Sequence, residues 1–198
     1  METHWIVFLV VASLVILLVI FVAAFFNRLV RLRNAYRNAF AQIEVQIRRR
    51  HDLIPQLVDV AKGYMQHEKS TLEAVITARS QAASEASVAN PSKSESIRKL
   101  NLAESGLSGA MRRLFALIES YPNLKANETM MQLSDEWVVA ENRIAYARQA
   151  FNEAATVYNS ECEVFPQLIV ARMFKFQPAT LFEITDATER VTPRAVFT

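Results

Sequence analysis

The stretch "LKANETMMQLSDEWVVAENRIAYARQAFNEAATVYNSECEVF", residues 124–165, sets Met130, Leu133, Trp137, Ala140, Ile144, Ala147, Phe151, Ala154 and Tyr158 at steps that alternate between three and four. That period is helical, because residues three and four apart share one face of an α-helix whereas a strand alternates every second residue. At 1.5 Å per residue the whole stretch makes a helix about 60 Å long. Pro122 precedes it and Pro166 stops it, since proline cannot donate within a helix. A helix of this length with one apolar stripe needs other helices to cover it.

The residues before it supply one. Leu100, Ala103, Leu107, Ala110, Leu114, Leu117 and Tyr121 repeat the pattern. "SKSE" ahead of them reads as a capping box, with Ser92 as N-cap and Glu95 three positions on. "YPN", 121–123, is then a short turn between antiparallel neighbours. The first soluble helix runs through Leu29, Leu32, Tyr36, Phe40, Ile43 and Ile47 into "IRRRHDLIPQLVDVAKGYMQHEK", 47–69. Pro55 there cannot bond the carbonyl of His51, so the helix is either kinked or broken near 51–55, with Asp52 as N-cap of a restart. A kink is favoured, because a true turn brings more polar and flexible residues. The stripe resumes at Ile54, Leu57, Ala61 and Tyr64, then Leu72, Val75 and Ala82. "VANPSK", 88–93, is a connection, and "GLSG", 106–109, lies inside a helix where small residues permit close approach. "QLIVARMFKF", 167–176, makes a short amphipathic helix, followed by an extended or mobile tail whose Phe182 docks on the bundle.

Residues 5–26, "WIVFLVVASLVILLVIFVAAFF", hold no charge and no polar face. About 20 apolar residues match a hydrocarbon core of roughly 30 Å, so this is a transmembrane helix. "METH" lacks the basic residues of a signal peptide, and no small-residue cleavage site follows. The inner flank carries Arg28, Arg31, Arg33 and Arg37 against Glu2 and His4 outside, which predicts a cytoplasmic C-terminal side in the cell (inner) membrane. These four arginines are candidate membrane-surface contacts. The fold class expected is all-α: an N-terminal transmembrane helix, then a long antiparallel, coiled-coil-like bundle of three long helices (the first kinked near Pro55) or four, plus a short C-terminal helix. The domains are 1–4 outside the cytoplasm, 5–26 in the membrane, 27–178 as bundle and 179–198 as tail.

Composition narrows function. The balance of 22 Lys and Arg against 20 Asp and Glu is not that of a nucleic-acid binder, and no nucleic-acid motif accompanies the seven arginines of 28–50. A di-iron bundle needs Glu-x-x-His, yet the positions three before His4, His51 and His67 are Met1, Arg48 and Tyr64. "HEKST", 67–71, lacks the second histidine of a zinc-protease helix. Phosphate loops and nucleophile motifs are absent, and Cys162, the only cysteine, reads as a packing residue. No catalytic residue, metal site, cofactor or small-molecule substrate is expected. One polar block stands out: Asn142, Arg143, Tyr146, Arg148, Asn152, Tyr158 and Asn159 on the longest helix. A merely solvated face carries Lys and Glu, whereas these side chains are rich in directed hydrogen bonds. They form an interhelical network or a partner-binding face.

"QIEVQIRRRHDLIPQLVDVAKGYMQHEKSTLEAVITAR" at 42–79, "KANE" at 125–128, "ENRIAYARQ" at 141–149, "YN" at 158–159, "FP" at 165–166 and "ARMFKFQP" at 171–178 strongly resemble the LemA family. The resemblance runs from about Asn27 to Pro178. It implies a membrane anchor followed by an antiparallel helical bundle, with no established reaction or catalytic residues to carry over. Relatives include a protein of bacterial magnetosome membranes, and members are often encoded beside membrane zinc proteases. Some members resemble lipoproteins exposed outside the cytoplasm, but this chain lacks their N-terminal cysteine. The expected role is a non-enzymatic scaffold or adaptor whose partners are the lipid bilayer and either a membrane protein or a second copy of itself. The alternatives are a membrane-shaping or lipid-organising self-assembling protein, or an accessory factor of a membrane protease.

Overall fold

The computed structural model describes residues 2–182. They form four long helices and two short ones, and no strand occurs among the described residues. α1, Glu2–Lys62, is a single helix of 61 residues, about 90 Å from end to end. Its N-terminal part is long and apolar enough to cross a membrane, and only its end, at Val22, Phe25 and Phe26, packs on the rest of the chain; the remainder of α1 is one wall of an up-down-up-down bundle. α2, Lys69–Ser87, returns alongside it, α3, Ser94–Ile118, runs outward again, and α5, Glu128–Glu163, comes back towards the apolar segment. α4, Pro122–Lys125, is one turn between α3 and α5, and α6, Gln167–Met173, lies at the base. α1 and α5 are the closest pair, in antiparallel register from Arg28 beside Glu161 to Tyr64 beside Asn127.

Pro55 lies inside α1 and does not break it. The carbonyl that Pro55 leaves free, His51 O, accepts from Arg79 Nε on α2 at 2.8 Å. The side chain of Gln56 caps the neighbouring carbonyl of Asp52 at 3.3 Å. Asp52 is therefore a mid-helix residue, and the restarted helix weighed there as the alternative to a kink does not exist. The break comes later, at residues 63–68, where Tyr64 N and Met65 N both close on Ala61 O (3.0 and 2.9 Å). The apolar spacing continues through this turn because Met65 points inward, 1 % exposed. That is why the stripe suggested continuity and why the long helices number four.

Three smaller expectations are also corrected. Leu124 is buried on the separate turn of α4, so α5 starts at Glu128, with Asn127 Oδ1 accepting from Met130 N at 3.0 Å as its N-cap. The α3 start is not a capping box: the helix begins at Ser94, with no side-chain cap. Ser92 Oγ instead meets the hydroxyl of Tyr36 at 3.2 Å, and Asn90 Oδ1 accepts from Ser92 N. A Cβ added to Gly106 or Gly109 would meet nothing within 4 Å, so "GLSG" mediates no close helix contact. The α5 stripe drifts, as a 3.6-residue helix must, and buries Ala155 in place of Ala154.

The core falls into two clusters. The distal one joins Ile54, Leu57, Leu72, Val75, Leu107, Met111, Leu114 and Leu133 from all four long helices. The proximal one, beside the apolar segment, is aromatic: Tyr36, Phe40, Phe151, Tyr158 and Phe182 meet at ring separations of 4.9–6.2 Å. Packing runs on past Pro178, since Ala179 and Phe182 are 6 % and 4 % exposed. The rest of the expected tail, 183–198, lies outside the described residues.

Candidate functional site

Between the two clusters sits a layer of buried charge. Arg50 on α1 is 2 % exposed, Glu104 on α3 is 2 % and His51 is 4 %. Both Arg50 and Glu104 occupy apolar-stripe positions: Ile47, Arg50, Ile54 step by three and four, and Leu100, Glu104, Leu107 by four and three. Those steps point both groups into the bundle, where a lone charge is intolerable and an opposite partner is required. Arg50 Nη2 donates to Glu104, and Arg50 Nη1 donates to Glu141 Oε1 on α5 at 2.5 Å. Its guanidinium face rests on the Trp137 ring, 5.3 Å from the centroid. One side chain thus ties three helices together.

His51 Nε2 lies 3.1 Å from Glu104 Oε1. Burial pushes the Glu104 carboxyl up. The His51 contact and the charges of Arg50, His51 and Arg148 outweigh it and hold the carboxyl below the ordinary carboxylate range. Arg148, mostly buried, moves down from its usual value through burial and then the like charge of Arg50. Among the described residues no three His, Cys, Asp or Glu side chains group in a way that would hold a metal ion. The layer is an electrostatic clamp across α1, α3 and α5. Arg50 is one of the seven arginines of 28–50, and it turns inward. Its clue in the sequence was oppositely charged residues on the stripes of two helices, masked by the neighbouring Arg48 and Arg49.

The polar block of α5 is divided by the structure. Asn152, Tyr158 and Asn159 face inward and hold an extended strap, residues 177–182. Asn159 donates through Nδ2 to Ala179 O (2.9 Å) and accepts through Oδ1 from Ala179 N (2.8 Å). Asn152 does the same to Phe182, at 3.0 and 2.8 Å. Each amide therefore reproduces the donor and acceptor of a neighbouring strand, seven residues apart on one helix face. Tyr158 donates to Gln177 O at 2.9 Å, and burial, then Cys162, raises its pKa. Cys162 is buried, and burial raises its thiol too, which disfavours the reactive thiolate. Arg148 stacks over Phe182, 5.2 Å from the ring centroid. Asn142, Arg143 and Tyr146 point to solvent, Tyr146 at 73 % exposed.

Of the four arginines after the apolar segment, Arg28 pairs with Glu161 at 2.6 Å and Arg33 lies over Phe176 at 5.1 Å. Arg31 and Arg37 are exposed. The bundle therefore uses two of the four to fasten its own base.

Much of the chain is similar to known proteins. The chain is 27 % identical over 165 residues to Protein LemA of Metamycoplasma hominis, covering 83 % of this chain and 71 % of that one. It is 33 % identical over 94 residues to the magnetosome proteins MamQ 1 and MamQ 2 of Paramagnetospirillum magneticum, across 46 % of this chain. The match spans only 35 % of each of those magnetosome proteins. Residues 39–197, which include the Arg50–Glu104 clamp and both strap-holding asparagines, match the LemA family, and the chain belongs to it.

Proposed function

We propose that this protein is a membrane-anchored, non-enzymatic scaffold that presents its bundle to a membrane protein. The observation that carries this reading is the continuity of α1: one helix is both the apolar segment and a full-length wall of the bundle. A bundle fixed to its anchor without a linker holds its outer face at a set height and angle, which suits presentation. The excess of arginine after the apolar segment supports a cytoplasmic bundle. The face offered is that of α5. Tyr146 and Arg143 stand on it beside Val138 and Val139, 56 % and 47 % exposed, and Met131, 49 % exposed. Tyrosine, arginine and methionine are the residue types enriched at interfaces. Arg148 is not part of it, because its guanidinium is committed to Phe182.

The test is photo-crosslinking from position 139, 47 % exposed on the same face, in native membranes, followed by mass spectrometry. The expected result is one stoichiometric membrane protein, lost in the Arg143→Ala/Tyr146→Ala variant while thermal unfolding stays unchanged. Capture that the double variant leaves intact, or capture of lipid alone, would overturn the assignment of this face.

A further inference from the structure

At the base of the bundle the chain exposes apolar side chains that the fold does not need. α6 buries Val170 and Ala171, 2 % and 3 % exposed, and turns the opposite side outward. Phe165, Ile169, Met173 and Phe174 there are 75 %, 57 %, 56 % and 48 % exposed. Ile169 and Met173 share one face of α6, with Phe174 at its end and Phe165 in the turn before it. Such a patch normally marks a contact surface.

The position of this pad says which. Phe26 is the last residue of the apolar run, and its ring packs against Phe174 at 4.8 Å and Phe176 at 5.6 Å. The contact is built by the end of α6. Phe176 N returns to Ala171 O and Lys175 N to Arg172 O, with Lys175 in the left-handed region (φ 55°). This is a Schellman turn, and it aims Phe176 back onto α1. The pad is therefore level with the point where α1 leaves the apolar stretch. Exposed cations rim it: Arg31 from α1, and Arg172 and Lys175 from α6 and its turn. Apolar residues inside and Lys or Arg outside is the pattern of an element lying in the interfacial layer of a bilayer.

We propose that α6 is a second, monotopic membrane contact, with Phe165, Ile169, Met173 and Phe174 sunk into the interfacial zone beside the span. This rests on the reading that residues 5–26 cross a bilayer. It adds that the bundle touches the membrane at two points.

The test uses the full chain in nanodiscs of mixed zwitterionic and anionic lipid, with Cys162→Ala and one added cysteine carrying an environment-sensitive fluorophore. Labels are placed at Ile169→Cys, Met173→Cys, Leu14→Cys and Tyr146→Cys; all four sites are exposed, so the fold tolerates them. Lipid bearing a spin label just below the headgroup should quench 169 and 173 at least threefold more than 146. If 14 is quenched by spin labels deeper in the chain while 169 and 173 match 146, the pad does not touch lipid and the anchor stands. If 14 escapes quenching as well, both readings fall. Energy transfer between labels at 169 on separate copies, without lipid quenching, would also overturn the proposal by giving the pad to a second chain.

Discussion

The two halves of the bundle solve the same covering problem differently. In the distal half, four helices close around mainly aliphatic side chains, and the walls come from the apolar stripes of those helices. In the proximal half the α2–α3 turn has already folded back level with Tyr36, where Ser92 meets its hydroxyl. The missing wall is made by α6 and by an extended strap. A strap has no hydrogen-bond ladder of its own, so its backbone groups must be satisfied from outside. Asn152 and Asn159 do this for Phe182 and Ala179, and Pro91 O takes the N–H of Thr180 at 3.1 Å. The comparison shows that helices cover a core through side-chain period alone, whereas a strap needs named polar partners.

The boundary between the halves should be the most sensitive point. Glu104→Leu leaves Arg50 buried with only the half-exposed Glu141, and removing one partner of a buried pair costs about 3–5 kcal/mol. Arg50→Met together with Glu104→Leu should restore much of that loss, because the desolvation cost goes with both charges. Denaturant unfolding of the full chain in nanodiscs measures both; a double variant as unstable as the single one would show that the clamp is not coupled. Acid should loosen the wild type at this level. The Glu104 carboxyl is held below its ordinary value of 4.5, so its contribution is full above that pH and is lost as pH falls beneath it. Glu104→Gln should flatten this part of the stability–pH curve.

A smaller and more local effect is expected in the proximal half alone. Asn159→Ala strands two backbone groups of Ala179, which is worth about 1–3 kcal/mol where water cannot replace them. Hydrogen exchange should quicken at 179–182 while the amides of α2 and α3 keep their protection; equal loss in both halves would contradict the division. Asn127→Ala acts only at the far end. It removes the α5 N-cap at a cost of about 1 kcal/mol, with the change confined to the distal half.

The same contrast explains what the sequence disclosed. The stripes of α1, α3 and α5 were legible because burial on a helix repeats every three or four residues. The turn at 63–68 was hidden by Met65, which continues the stripe through a non-helical segment, although Gly63 directly after Lys62 is a helix-end pattern. The role of Asn152 and Asn159 was not legible. Their hydrogen-bond capacity was plain, but their partner is an extended segment 20 and 30 residues away that carries no period. Arg50 and Glu104 were readable in principle, because a charge on a stripe demands an opposite charge on a facing one.

α1 has one further consequence. From Leu29 to Lys62 it extends about 50 Å beyond the apolar segment with no hinge, so it acts as a lever. A change of ten degrees in the tilt of the apolar segment would swing the turn at Gly63 sideways by about 9 Å, by simple geometry on that length. Spans tilt to match bilayer thickness, so under the membrane anchoring proposed above a thinner or thicker membrane would be read out as a lateral displacement at the far end of the bundle.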